Sequence, residues 1–173
     1  MKTDTCTAIV LALALAAGTG VPARADTASD FLKGLEGSWR GRGSAILPGR
    51  EKAERITCQV TNDFQGEALV VKGECASTQG KAAVSGRLSH AGDKVSGSFI
   101  DAVQGAKMTT SAGSLSGGNL VVSSSFVENA TGNLTRTRQV IRKGGSGFKA
   151  DFFTYDNASG AYQPSGSITF SAQ

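Results

Sequence analysis

The stretch from Ile56 to Cys75 permits very few arrangements. Ile56, Cys58, Val60 and Phe64 fall on one face of an extended segment, and Leu69, Val71, Gly73 and Cys75 on one face of the next. Successive side chains of a strand point to opposite faces, so each set marks a buried side. Folding the two segments antiparallel about Gly66-Glu67 sets Phe64 opposite Leu69, Val60 opposite Gly73 and Cys58 opposite Cys75. One register satisfies the apolar alternation and brings the two sulfurs within bonding reach; a slip of one residue loses both. A Cys58–Cys75 disulfide is therefore predicted, contributing on the order of 3 kcal/mol through the unfolded chain.

A disulfide asks for an oxidising compartment, and the chain opens accordingly. Met1 to Cys6 is a short polar start, Ala8 to Ala17 an apolar run, and Gly18-Thr-Gly20-Val-Pro22 breaks that run ahead of Ala23-Arg-Ala25. This is the order of a signal peptide with its small-residue cleavage site, and the run is too short to span a bilayer. Residues 1–25 are read as a signal peptide and 26–173 as a single domain, periplasmic or secreted, with no stable membrane insertion. Cys6 leaves with the signal, so Cys58 and Cys75 have only each other. A single histidine leaves zinc short of ligands.

Glycine is abundant, at 23 residues, aromatics make up 6%, and no long apolar stripe of helical period follows the signal. Such a chain forms short strands joined by tight turns. After the hairpin, strands are predicted over Lys81 to Ser89, Lys94 to Asp101, Lys107 to Ala112, Leu120 to Val127, Leu134 to Arg142, Phe148 to Tyr155 and Ser167 to Ser171. Turns fall at His90-Ala-Gly-Asp93, Gly117-Gly-Asn119, Asn129 to Asn133, Gly144 to Gly147 and Asp156 to Gly160. Val84-Ser-Gly86 and Val95-Ser-Gly97 echo each other eleven residues apart, which reads as repeated hairpin spacing. An open meander of this length exposes its edges, and closure removes them. The predicted fold class is all-β: an antiparallel up-and-down β-barrel of about 8–10 strands with a short N-terminal helix. A two-layer sandwich is the alternative.

The helix is predicted just after residue 26. Thr27 precedes Asp30 by three residues, as in a capping box, and Phe31, Leu32 and Leu35 form an apolar side that ends at Gly34 or Gly37. That side needs a surface to sit on, which an open barrel end supplies. In the first strand Trp39, Gly41, Gly43 and Ala45 share one face, and the glycines are expected to leave room for the indole.

Gly37-Ser38-Trp39 on a first strand, after a helical turn and ahead of an up-and-down run of strands, resembles the opening of lipocalin-like (calycin) barrels. The layout is also similar to haem-binding nitrobindin-type barrels and to small periplasmic inhibitors of secreted metalloproteases, which are exported and carry one disulfide. The resemblance implies a closed barrel with a late-strand arginine, here Arg136, Arg138 or Arg142, packed over Trp39. The haem ligand of nitrobindin-type barrels is a late histidine, and none follows His90, so haem does not carry over.

Catalytic parts are scarce. The chain has no G-x-S-x-G, P-loop or dinucleotide-binding pattern. His90 reads as a turn histidine. Asp151 with Asp156, and Glu51 with Glu54, are close in sequence, but the Glu pair falls in a loop and Asp156 in a turn, unlike a held acid pair. A net charge near +3 after residue 25, without a nucleic-acid-binding motif, gives no reason to expect a nucleic-acid partner. Arg136 and Arg138 share a strand face with Leu134 and Val140. Facing inward they bind a carboxylate or phosphate; facing outward they leave Thr135, Thr137, Gln139 and Ile141 to the core. Trp39, Arg136 and Arg138 are the candidate ligand-binding residues, with no catalytic residue, metal or cofactor expected. The chain reads as an exported non-catalytic binding protein for a small apolar or anionic ligand or an envelope protein partner. The alternative is a protease inhibitor whose segment from Asp26 to Asp30 enters the enzyme's cleft.

Overall fold

The computed structural model describes residues 27–46, 51–100 and 106–173; the predicted signal peptide and Asp26 lie outside the described residues. The predicted hairpin is formed by β2 (Ala53–Phe64) and β3 (Ala68–Ser77), with Phe64 opposite Leu69, Val60 opposite Gly73 and Cys58 opposite Cys75. The two cysteines are joined by a disulfide across a Cα separation of 4.0 Å.

Around this hairpin the strands close into a ring. β1 (Gly37–Ile46) precedes it, and β4 (Gly80–Ala91), β5 (Lys94–Ser98), β6 (Ala106–Ser116), β7 (Asn119–Glu128), β8 (Leu134–Gly144), β9 (Gly147–Asp156) and β10 (Ala161–Ala172) follow. Each strand pairs antiparallel with its neighbour in sequence, and β1 with β10, giving a closed ten-stranded barrel. The sandwich alternative is excluded.

One end of the barrel is stoppered by α1 (Ala28–Lys33). Thr27 caps it, its hydroxyl accepting from the Asp30 amide at 3.2 Å and donating to the Asp30 carboxylate at 2.8 Å. Ala28, Phe31, Leu32 and Leu35 are fully buried. The carbonyl of Leu35 accepts from the Trp39 indole Nε1 at 2.9 Å and from Asn62 Nδ2 at 2.8 Å, which ties the end of the stopper to β1 and β2. Trp39 is half-buried and meets Phe148 edge-on at 5.0 Å. The glycines beyond it have a different use from the one predicted. A Cβ on Gly41 would lie 2.6 Å from the Phe170 ring, and one on Gly43 would lie 1.8 Å from the Ser167 carbonyl. They admit β10 rather than the indole.

β5 departs from the prediction. It ends at Ser98 rather than Asp101, and pairs with β6 through two rungs, Lys94–Ser114 and Val95–Gly113. Beyond them the chain turns into the lumen, so Ser98, Phe99 and Ile100 are buried in succession. Phe99 packs edge-on against Phe148 at 5.3 Å and Phe170 at 5.7 Å. Gln139 clamps this inturned segment: Oε1 accepts from the Phe99 amide at 2.8 Å, while Nε2 donates to Ser98 Oγ at 2.9 Å and the Ile100 carbonyl at 3.0 Å. Ser111 and Ser124 hydroxyls both donate to the Gly97 carbonyl. The echoed Val-Ser-Gly triplets mark this crossing. Gly97 has φ of 107° and faces the Arg87 carbonyl, and a Cβ on Gly86 would lie 2.0 Å from the Phe99 carbonyl. Neither position accepts a side chain.

β6 runs on to Ser116, past the predicted Ala112, and two other boundaries differ for identifiable reasons. β10 begins at Ala161 rather than Ser167, because Pro164 is absorbed by a register shift between Pro164 and Gly166. β4 continues through His90 to Ala91, so the histidine pairs with Val95 and belongs to the strand, not the turn.

Candidate functional site

Gln139 and Ile141 point into the core, which places Arg136 and Arg138 on the outer face of β8. This is the outward of the two arrangements left open by the sequence, yet the arginines are not simply solvated. On β9, Phe148 and Ala150 are buried and Phe152 packs against the core, so Phe153 and Tyr155 share the outer face with them. The turn that follows sets Tyr155 opposite Tyr162 and Phe153 opposite Pro164 on β10.

Both guanidinium groups lie over phenol rings. Arg136 Cζ is 3.5 Å from the centre of the Tyr155 ring, and Arg138 reaches across β9 to within 4.1 Å of the Tyr162 ring. The tyrosines meet edge-on at 5.3 Å. A guanidinium in contact with a ring keeps N–H groups as donors; of these, Arg138 Nε is buried without a partner among the described residues. Arg136 spends one of its own on Asn157 Oδ1, at 2.8 Å. Leu134, 56% exposed, extends the patch along β8.

The carboxylates nearest the patch in sequence are already engaged. Asp151 is bonded by Arg142 and lies 3.1 Å from Lys149 Nζ. Partial burial by itself would raise its pKa, but hydrogen bonds from Ser167 and Lys149 and the charges of Lys149 and Arg142 outweigh that and hold the carboxyl below its ordinary value. Asp156 is also held low, by the Ser159 hydroxyl and the Ala158 amide of its own turn. Glu54 accepts from Thr78 and, at 2.9 Å, from Gln79 Nε2.

The sequence-predicted site residues therefore separate. Trp39 belongs to the stopper, bonded to Leu35, while Arg136 and Arg138 lie on the outer wall with tyrosines. Arg142 pairs with Asp151, and the cation that covers the stopper is Lys143, whose Nζ lies 4.8 Å from the centre of the Phe31 ring. His90 stacks on Phe64 at 6.3 Å. Residues 28–30 are part of the packed helix and Ala28 is fully buried, so they form no free arm. Tyr155 and Tyr162 were not singled out from sequence: counting out from a turn over Asp156 to Gly160 sets Tyr155 opposite Ala161, whereas Asp156 belongs to the ladder and brings Tyr155 opposite Tyr162. Among the described residues no helix is long and apolar enough to cross a membrane, and no three His, Cys, Asp or Glu side chains group as a metal site.

The fold and site define a closed ten-stranded antiparallel barrel, stoppered by a short helix and bearing an arginine–tyrosine face on β8, β9 and β10. No protein-family model and no curated protein matches the chain.

Proposed function

We propose that this chain is an exported, non-catalytic binding protein of lipocalin-like layout, which docks a partner through the outer face of β8, β9 and β10. The observation that carries the reading is the pair of guanidinium groups, each laid on a tyrosine, on a wall that also exposes Leu134. Arginine and tyrosine dominate the energetics of protein interfaces because they bring large apolar contact area and directional donors together. The interior offers less: Phe31, Phe99, Phe148 and Phe170 fill its stoppered half. Export is supported by the predicted signal peptide and by the disulfide. Asp151 and Asp156 are both held low, whereas hydrolysis by an acid pair needs one carboxyl raised.

A photo-crosslinking residue placed at Leu134 tests the proposal in exporting cells, with the exposed Thr57 on β2, outside the proposed face, as the comparison position. Crosslinks formed from Leu134 and not from Thr57 are the expected result. Equal crosslinking from both positions, or none from Leu134, overturns the proposal.

A further inference from the structure

We infer that this face reads an extended acidic segment of a partner protein, with carboxylates two residues apart. The inference rests on the docking role proposed above and names the chemistry recognised there. The guanidinium groups of Arg136 and Arg138 lie over Tyr155 on β9 and Tyr162 on β10, rings whose centres are 5.3 Å apart, close to two strand rises of about 3.3 Å, or about 6.6 Å. An extended peptide presents its own alternate side chains at the same interval and on one side. A strand laid across β9 and β10 with acids at i and i+2 therefore offers one carboxylate to each guanidinium.

Three observations favour that occupant. First, the charge is uncompensated: among the described residues neither arginine has a carboxylate partner, and Asp151 and Asp156 are engaged elsewhere. Second, each guanidinium is held against a tyrosine ring, and Arg136 also by Asn157, so the charges are positioned before anything binds. Such positioning reduces the ordering cost of a two-point contact. Third, Phe153, Pro164 and the exposed Leu134 lie on the same face as the charges. An apolar border of this kind suits a peptide with apolar residues beside its acids better than it suits a phosphate or sulfate polymer, which gains little from leucine and proline.

The test is a titration of the isotope-labelled protein with nine-residue peptides, followed by amide NMR shifts. One peptide carries Glu at i and i+2, others carry the same residues with Glu at i and i+1 or i and i+3, and one has both Glu replaced by Gln. The i, i+2 peptide is expected to shift β8, β9 and β10 amides and to bind at least tenfold more tightly than the Gln peptide. Arg138→Ala should remove that tenfold difference. Arg138→Lys, which keeps the charge without the fork, should retain only part of it. Melting temperature and disulfide content confirm that each variant is folded.

If all three acidic peptides bind equally and with arginine dependence, the spacing inference is overturned while the docking face stands. The same holds if heparin or an oligonucleotide binds through these arginines and no peptide does. If no probe depends on Arg136 or Arg138 and Leu134 gives no crosslinks, both the inference and the docking role fall.

Discussion

Replacing Gln139 by Leu removes the clamp on the inturned segment and changes little else. The two side chains are close in volume, so no sizeable cavity opens. Three hydrogen bonds are lost, but their consequences are unequal. Ile100 O still accepts from Ser98 Oγ at 2.8 Å, whereas the Phe99 amide loses the acceptor it has in Gln139 Oε1. An orphaned buried N–H costs about 1–3 kcal/mol. Adding the net worth of the two lost donations brings the expected destabilisation to about 3 kcal/mol. At about 3 °C per kcal/mol for a domain of this size, the melting temperature should fall by about 10 °C. Urea unfolding measures the energy, and hydrogen exchange at the Phe99 amide locates it. Thr137→Val is the matched control on the same face of β8: Thr137 Oγ1 is buried without a partner, so the substitution should be neutral or stabilising by up to about 1 kcal/mol. A Gln139→Leu loss below about 1 kcal/mol, with Phe99 still protected, would refute the clamp.

Other perturbations have equally specific outcomes. Changing both Cys58 and Cys75 to serine opens a loop of sequence separation 17 and should lower stability by about 3 kcal/mol, read by denaturant unfolding. Trp39→Phe should cost about 1 kcal/mol, since Asn62 continues to serve Leu35 O; Trp39→Ala also loses the contact with Phe148 and should cost about 3 kcal/mol or more. Asp151→Asn should cost about 1 kcal/mol near neutral pH, because its cationic partners are themselves half exposed. The folded-state pKa of Asp151 is below its ordinary 3.8. Its contribution is therefore present above pH 3.8 and is lost as pH falls through the folded value, so wild type and Asp151→Asn should converge in acid. A gap between them that stays constant with pH would contradict this assignment.

The hairpin was legible because two independent constraints, apolar alternation and a cysteine pair, demanded one register. The cap at Thr27 was legible because its partner is three residues away. What sequence patterning could not supply was the lumen's own content. The run from Lys94 continues as a strand by period, and only the filled interior explains why Ser98 to Ile100 leave the wall. The facing of Arg136 and Arg138 was undecidable locally, since a one-residue shift exchanges the faces. It is decided by Gln139, whose amide finds all its partners on that inturned segment. Pro164 hid half of β10 for a related reason: a proline argues against a strand unless a bulge receives it.

The two-rung junction of β5 with β6 has a bearing on how the closed ring behaves in solution. β4 and β5 share five rungs, and β1 and β2 share ten, so separating β5 from β6 breaks far less than parting other neighbours. Fluctuations that leave most of a protein intact begin where the fewest bonds must go together. The barrel thus carries a built-in side seam, bridged beyond its two rungs by Ser111 on Gly97, and parting there should leave the disulfide hairpin and the arginine–tyrosine face in place.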